Sequence, residues 1–398
     1  MDQELPDAAN PRDPMKPLAP LVTDQMWDYP PWHRWTFQHM REMTATAQVW
    51  RGSGPVSPLP EALADVAALT FSANGKKQSI AQFLDGSFTD GFLILSRGRV
   101  IFERYMNGLT AHGQHLAMSV SKSITATAAG VLIHRGILDP HAPVTHYLPE
   151  LSATAYKGAL VQQVLDMTTG VLFDESYTTE GSHMQKLDLA TGWRPHTRPD
   201  WPQTIWRLIL ELKEQARPHG EAFEYRSIET DVLGFMMERA TGKRLADILS
   251  EELWQKIGAE QDGYITVDRG GYAMANGGFN ATLRDYGRFA LLHVNSGKAD
   301  GKQVVPEAWL NETRRGDHDI FRGVYRGALP RGAYHNQFWI EDPDRRAYMC
   351  RGIHGQYIYI DPEAEFAAVK LSTWPEFVSD ERSIETLAAI KAIRDAIV

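Results

Sequence analysis

The chain has 398 residues, 43% of them hydrophobic and 23% charged, which is ordinary globular usage and enough for a large core in two lobes. A net charge of −9 argues against a nucleic-acid partner and against attraction to anionic membranes. The single cysteine, Cys350, excludes an internal disulfide framework and fits a reducing compartment.

In chain order, residues 1–25 hold several prolines and little periodicity, and read as a tail or surface strap. Met1 to Thr23 has no apolar core, so no secretory signal is read there and a cytoplasmic location is expected. Trp27, Tyr29, Trp32, Trp35 and Phe37 cluster next, as aromatics that would pack the strap onto the body. Residues 60–70 look helical. Phe92–Ser96 and Arg99–Tyr105, split by Arg97-Gly98, predict a β-hairpin. From Ser119 to about residue 260 the pattern is mostly helical, with a stop at Gly136 and a short helix over Val161–Met167. Residues 171–201 read as a long polar and aromatic loop, a kind of segment that often carries function. Helices are expected over Trp206–Glu214, over Ile228–Thr241 closed by Gly242, and over Leu245–Ile257. Gly270–Gly278 reads as tight turns before a helix near Leu283–Asn295. Gln356–Ile360 and Phe366–Ser372 predict a second hairpin, and Arg382–Val398 a terminal amphipathic helix. The longest apolar run, Ile124–Ile133, is too short to span a bilayer. Strands near both ends with helices between predict an antiparallel sheet built from the two termini, flanked by helices, with a helical lobe inserted. In numbers, 26–115 and 265–398 would form an α/β part and 116–264 an all-α part of one catalytic domain.

The chemistry concentrates at Ser119-x-x-Lys122. Ser- and Thr-rich openings followed by alanines suit a helix start, and residues three apart share a face, so Lys122 can reach the Ser119 hydroxyl. A serine hydroxyl needs a base within reach, and a buried lysine with a lowered pKa can serve. Tyr225, in Phe223-Glu-Tyr-Arg-Ser227, is the candidate third group, a phenol that can approach phenolate beside an ammonium. The glycine-flanked turn Gly352-Ile-His-Gly-Gln356 can offer backbone amides to an oxyanion. His354 taken by itself reads as structural. A metal centre is not expected: His112 and His115 stand three apart without a further acid or histidine motif. Cys350, beside an expected strand, reads as packing.

With these residues in place the chain resembles the serine β-lactamase and penicillin-binding superfamily, in its class C and esterase branch. Ser119-x-x-Lys122 matches the first motif and Tyr225-x-Ser227 the Tyr-x-Asn/Ser motif, while His354-Gly355-Gln356 stands where Lys-Thr-Gly occurs in true β-lactamases. Within that branch it looks most like the 6-aminohexanoate-dimer (nylon-oligomer) hydrolases, from Trp32-His-Arg-Trp through Leu165-Asp-Met and Ala275-Asn-Gly-Gly to Lys370-Leu-Ser. The resemblance implies a β-lactamase/transpeptidase-like fold and a homodimer. It implies hydrolysis of small linear amides, with esterase side activity and no cofactor. It implies Ser119 as nucleophile, Lys122 and Tyr225 as the proton-handling pair, and the Ser119 and Ile353 amides as oxyanion hole. Tyr177 would close over substrate and hydrogen-bond the scissile nitrogen. Asp188 would bind a free ammonium, and Asn276, Trp193 and His354 would complete the substrate side. Lys-Thr-Gly is absent, so the lysine that would hold a β-lactam carboxylate is missing. Arg226 and Glu229 put charges near Tyr225. A carboxylesterase, a D-aminopeptidase-like hydrolase and a non-catalytic binding protein remain as alternatives.

Overall fold

Arg97 and Gly98 both adopt positive φ (49° and 71°), the conformation a two-residue hairpin turn requires, and they join the strands Thr89–Ser96 and Arg99–Tyr105. In the computed structural model, which describes residues 26–344 and 347–398, this hairpin forms one edge of a seven-stranded antiparallel sheet. Across the sheet, Phe366–Ser372 pairs with Thr89–Ser96 and is followed by Gln356–Asp361, Tyr348–Gly352, Phe338–Ile340 and Ala333–His335. Strands from both ends of the described chain therefore meet side by side, as the pattern predicts.

Thr89–Ser96 is buried along its whole length because both faces of the sheet are covered. Leu93 and Leu95 join the main core with Phe289 of the helix Leu283–Val294, while Phe92 and Ile94 point into a second core closed by Leu387, Ile390 and Ile393 of the helix Asp380–Ile397. Gly287 lets the first of these helices lie close: a Cβ there would sit 2.5 Å from Leu93 Cδ2. A smaller sheet, ordered Thr46–Val49, Gly263–Thr266, Phe279–Thr282 and Gln114–Leu116, has short strands that the sequence reading does not anticipate. Its last strand feeds directly into the helix Val120–His134, which is buried from Val120 to Leu132 and packs on the helix Ile228–Thr241. Gly242 ends that second helix in the left-handed conformation (φ 69°), as expected for a C-terminal stop.

Three expectations are corrected. Residues 60–70 form no helix. The stretch follows Pro58 and Pro60 and runs beside an edge strand, the Ala62 and Ala64 amides donating to the Val100 and Ile101 carbonyls. The polar stretch 171–201 contains a helix, His183–Ala190, started by the Ser182 side chain accepting from the Gln185 amide. The helix expected over Leu245–Ile257 is α-helical only to Leu249 and continues as a π-turn over Ser250–Trp254. The expected strap, residues 1–25, lies outside the described residues. Among the described residues no helix is long and apolar enough to cross a membrane.

Candidate active site

Ser119 sits at the junction between the small sheet and the buried helix. The residue before it, Met118, is held at φ 49°, a conformation uncommon for a side chain of its size. This kink places Ser119 at the head of Val120–His134, where the macrodipole is positive. Lys122 Nζ lies 2.8 Å from Ser119 Oγ and donates a second bond of 2.8 Å to the Asn276 carbonyl. Behind it, Asp231 accepts from the Asn276 amide at 3.2 Å and from Asn276 Nδ2 at 2.6 Å, so a buried carboxylate fixes the carbonyl that holds the lysine. Tyr225 approaches from the far side. Lys122 Nζ is 5.1 Å from its ring centroid, its phenol shares a hydrogen bond with Ser119, and its ring stacks on Trp339 at 5.3 Å.

Burial decides the electrostatics. It lowers the Lys122 pKa to about 8, against the opposing pull of Glu175 and Asp231. Burial also raises Asp231 to about 7, and raises Glu175 despite the nearby Lys122 ammonium. Tyr225 moves opposite to the sequence expectation: burial, then the Glu175 charge, push its pKa well above the ordinary phenol value. That direction favours the neutral phenol, a form able to donate a proton. Burial makes Lys122 the easier of the two to deprotonate.

A cavity of about 540 Å³ opens onto Ser119. Tyr177, Tyr225 and Ile353 line it with Ser119, and Lys122 is bonded to the nucleophile from behind. Gly352 brings the Ile353 amide to this place. A Cβ on Gly352 would stand 2.7 Å from the Ala117 carbonyl oxygen and 3.0 Å from Met118 Cβ, so only glycine lets the strand end touch the segment leading into Ser119. Four other expected residues do not line the cavity. Asp188 lies on the helix His183–Ala190 with Arg194 Nε 3.9 Å away, and burial raises its pKa to about 7. The Asn276 side chain is spent on Asp231. Trp193 lines a separate cavity of about 220 Å³, and its Nε1 donates to Thr266 Oγ1 at 3.2 Å. His354 packs among the rings of His33, Phe37 and Phe377, with Nδ1 2.7 Å from the Trp374 carbonyl. Burial lowers its pKa to about 3, which keeps it neutral. Arg226 and Glu229 pair with each other at 3.4 Å. Arg226 also donates to the Val171 carbonyl at 2.6 Å, and neither residue lines the cavity. Among the described residues no group of three or more His, Cys, Asp or Glu side chains is placed to hold a metal ion.

The beta-lactamase family model matches residues 77–392, a span that contains the whole constellation. The chain belongs to the beta-lactamase family. Among relatives of this beta-lactamase-family chain, the 6-aminohexanoate-dimer hydrolase of Paenarthrobacter ureafaciens is 36% identical over 352 residues, 88% of each chain. Esterase EstB of Burkholderia gladioli is 28% identical over 164 residues, 38% of each chain. A solved structure described as a candidate 6-aminohexanoate-dimer hydrolase, from Bacillus anthracis, superposes with a TM-score of 0.87 at 28% identity, covering 96% of this chain and 98% of that one. The β-lactamase/transpeptidase-like fold and the family resemblance read from the motifs are thus both found.

Two residues of this family member escape the sequence reading as site residues. Glu175 accepts from the Ser227 amide at 2.8 Å, from Ser227 Oγ at 2.5 Å and from the Tyr177 hydroxyl at 3.2 Å, tying the loop to the Tyr225-x-Ser227 motif. Nothing local in the sequence marks it. Asp231 does carry a signal: it falls three residues after Ile228 on the apolar stripe of its helix, where a lone carboxylate needs a partner.

Proposed function

We propose that this chain is an acyl-transferring serine hydrolase of small linear amides, of the kind the Paenarthrobacter relative is named for. The observation that carries the reading is Lys122 Nζ, 2.8 Å from Ser119 Oγ and lowered to about 8, so that on the order of one lysine in ten is neutral at pH 7. Neutral Lys122 takes the Ser119 proton as Oγ attacks the carbonyl carbon. The Ser119 and Ile353 amides stabilise the tetrahedral oxyanion, at about 3–4 kcal/mol per donor. Among the described residues neither amide donates to a turn or loop carbonyl. The C–N bond then breaks, and the amine leaves with a proton supplied through the neutral Tyr225 phenol, with Tyr177 beside it. Water cleaves the acyl-serine ester and restores Ser119.

Asp188 supports an ammonium-bearing acyl group through charge, since its carboxylate is ionised above about pH 7. Homodimerisation and a cytoplasmic location belong to the same reading, and light scattering of the purified chain tests the first. A second reading, carboxylesterase, is favoured by the EstB relative and by alkoxide leaving without a well-placed acid. The test is release of free 6-aminohexanoate from its linear dimer by wild type and Ser119→Ala, beside p-nitrophenyl acetate. Cleavage of both by wild type and of neither by the variant upholds the amide reading. Ester cleavage alone leaves an esterase.

A further inference from the structure

The catalytic cavity is chemically two-sided. Glu175, Tyr177 and Tyr225 lie on it with Ser119, and Arg351 is the one cation among the described residues that lines it. Arg351 is the last residue but one of the strand Tyr348–Gly352, two residues before the Ile353 amide. Its guanidinium carbon stands 5.2 Å from the Trp339 ring centroid and 5.4 Å from that of Tyr357, and Nη2 donates to Ser383 Oγ at 3.0 Å. Two aromatic faces and one hydroxyl thus hold the fork in place. Among the described residues Arg351 forms no ion pair with a carboxylate. Asp380 lines the same cavity without pairing to it. The Trp339 ring that Arg351 covers is the ring on which Tyr225 stacks, and the Arg351 charge opposes the upward shift of Tyr225. The cation therefore stands on the flank where the proton donor meets the leaving group.

We propose that Arg351 is an anion subsite that takes a carboxylate on the leaving portion of the substrate. The proposal rests on the hydrolase reading above and narrows its substrate class to amides or esters whose departing amine or alcohol ends in a carboxylate. An arginine fork suits a carboxylate bidentately, and such charge-assisted bonds in a sheltered cavity are worth roughly tenfold to a hundredfold in binding. The overall charge of −9 points the other way, so the preference is set locally.

The experiment compares two substrate pairs, each sharing one scissile bond: 6-aminohexanoate linear dimer with its C-terminal carboxamide, and 4-acetoxybenzoate with its methyl ester. The readout is the ratio of kcat/KM within each pair for wild type, Arg351→Gln and Arg351→Lys, with thermal melting to verify the fold. The expected result is that the ratio falls at least tenfold in Arg351→Gln and only partly in Arg351→Lys, which keeps the charge and loses the fork. Rising ionic strength should shrink the wild-type ratio. A ratio unchanged in Arg351→Gln, with both members slowed alike, overturns the proposal. So does a wild type indifferent to the carboxylate in both pairs. If only the ester pair is hydrolysed and its ratio collapses, the amide reading falls and the anion subsite stands.

Discussion

Gly352→Ala isolates the backbone part of the mechanism. The added Cβ would meet the Ala117 carbonyl at 2.7 Å, about 0.7 Å inside ordinary van der Waals contact, with Met118 Cβ and Gln356 Cβ each at 3.0 Å. Backbone cannot swing aside as a flexible side-chain end can, so the strand end must retreat by a comparable distance and take the Ile353 amide with it. A misplacement near 1 Å in a catalytic constellation costs on the order of a hundredfold, and loss of one oxyanion donor costs about a hundredfold to a thousandfold in kcat. Gly352 itself has φ −131°, so alanine adds no backbone strain and the effect is one of space alone. The assay is steady-state hydrolysis of p-nitrophenyl acetate beside fluorophosphonate labelling of Ser119. The expected outcome is kcat down about a hundredfold with KM little changed, and a melting temperature lowered by no more than corresponds to the roughly 1–3 kcal/mol that such crowding costs. A variant within threefold of wild type would refute the placement of the Ile353 amide as oxyanion donor.

Lys122 sets the second prediction: activity requires its neutral form, so log kcat/KM for a neutral ester should fall with slope one as pH drops below about 8. A profile flat from pH 6 to 9 would contradict lysine as base. Asp231→Asn removes an anion that holds the proton on Lys122, so the same limb should move to lower pH by about one unit; a limb that stays in place sinks the electrostatic role given to Asp231. Asp188→Ala should raise KM roughly tenfold for the dimer with its free ammonium and leave the N-acetylated dimer unaffected, as measured by released 6-aminohexanoate. Because the Asp188 pKa lies near 7, wild-type KM for the ammonium substrate should also worsen as pH falls below 7 and the carboxylate takes a proton.

What could be read from sequence were features with a local cause. Gly242, Arg97-Gly98 and the alanine-rich run after Ser119 each fix a conformation within a few residues, and the helix stop, the hairpin and the catalytic helix are found there. Ser119 and Lys122 share one helical turn, so their contact needs no knowledge of the fold. The misses have non-local causes. Residues 60–70 carry helix-forming alanines and leucines, yet pairing with a strand reached some forty positions later outweighs propensity. Glu175 meets Ser227 and Tyr177 only after the loop folds back over the Tyr225 motif, and Tyr225 rises in pKa because folding buries it and then sets the Glu175 charge near it. The short strands of the smaller sheet, Gly263–Thr266 among them, are too brief for a period of two to show.

The contact between Gly352 and Ala117–Met118 joins stretches more than two hundred residues apart in the chain, and it consists of backbone and a single Cβ. Turnover therefore depends on the C-terminal strands being docked against the segment that leads into Ser119. Lys122 and Ser119 share one helical turn and can meet without the C-terminal strands, but the Ile353 amide reaches Ser119 only once those strands dock. In a refolding experiment, turnover should lag behind far-ultraviolet circular dichroism, and a clip anywhere between the two stretches that loosens that docking should silence the enzyme while much of its helix survives.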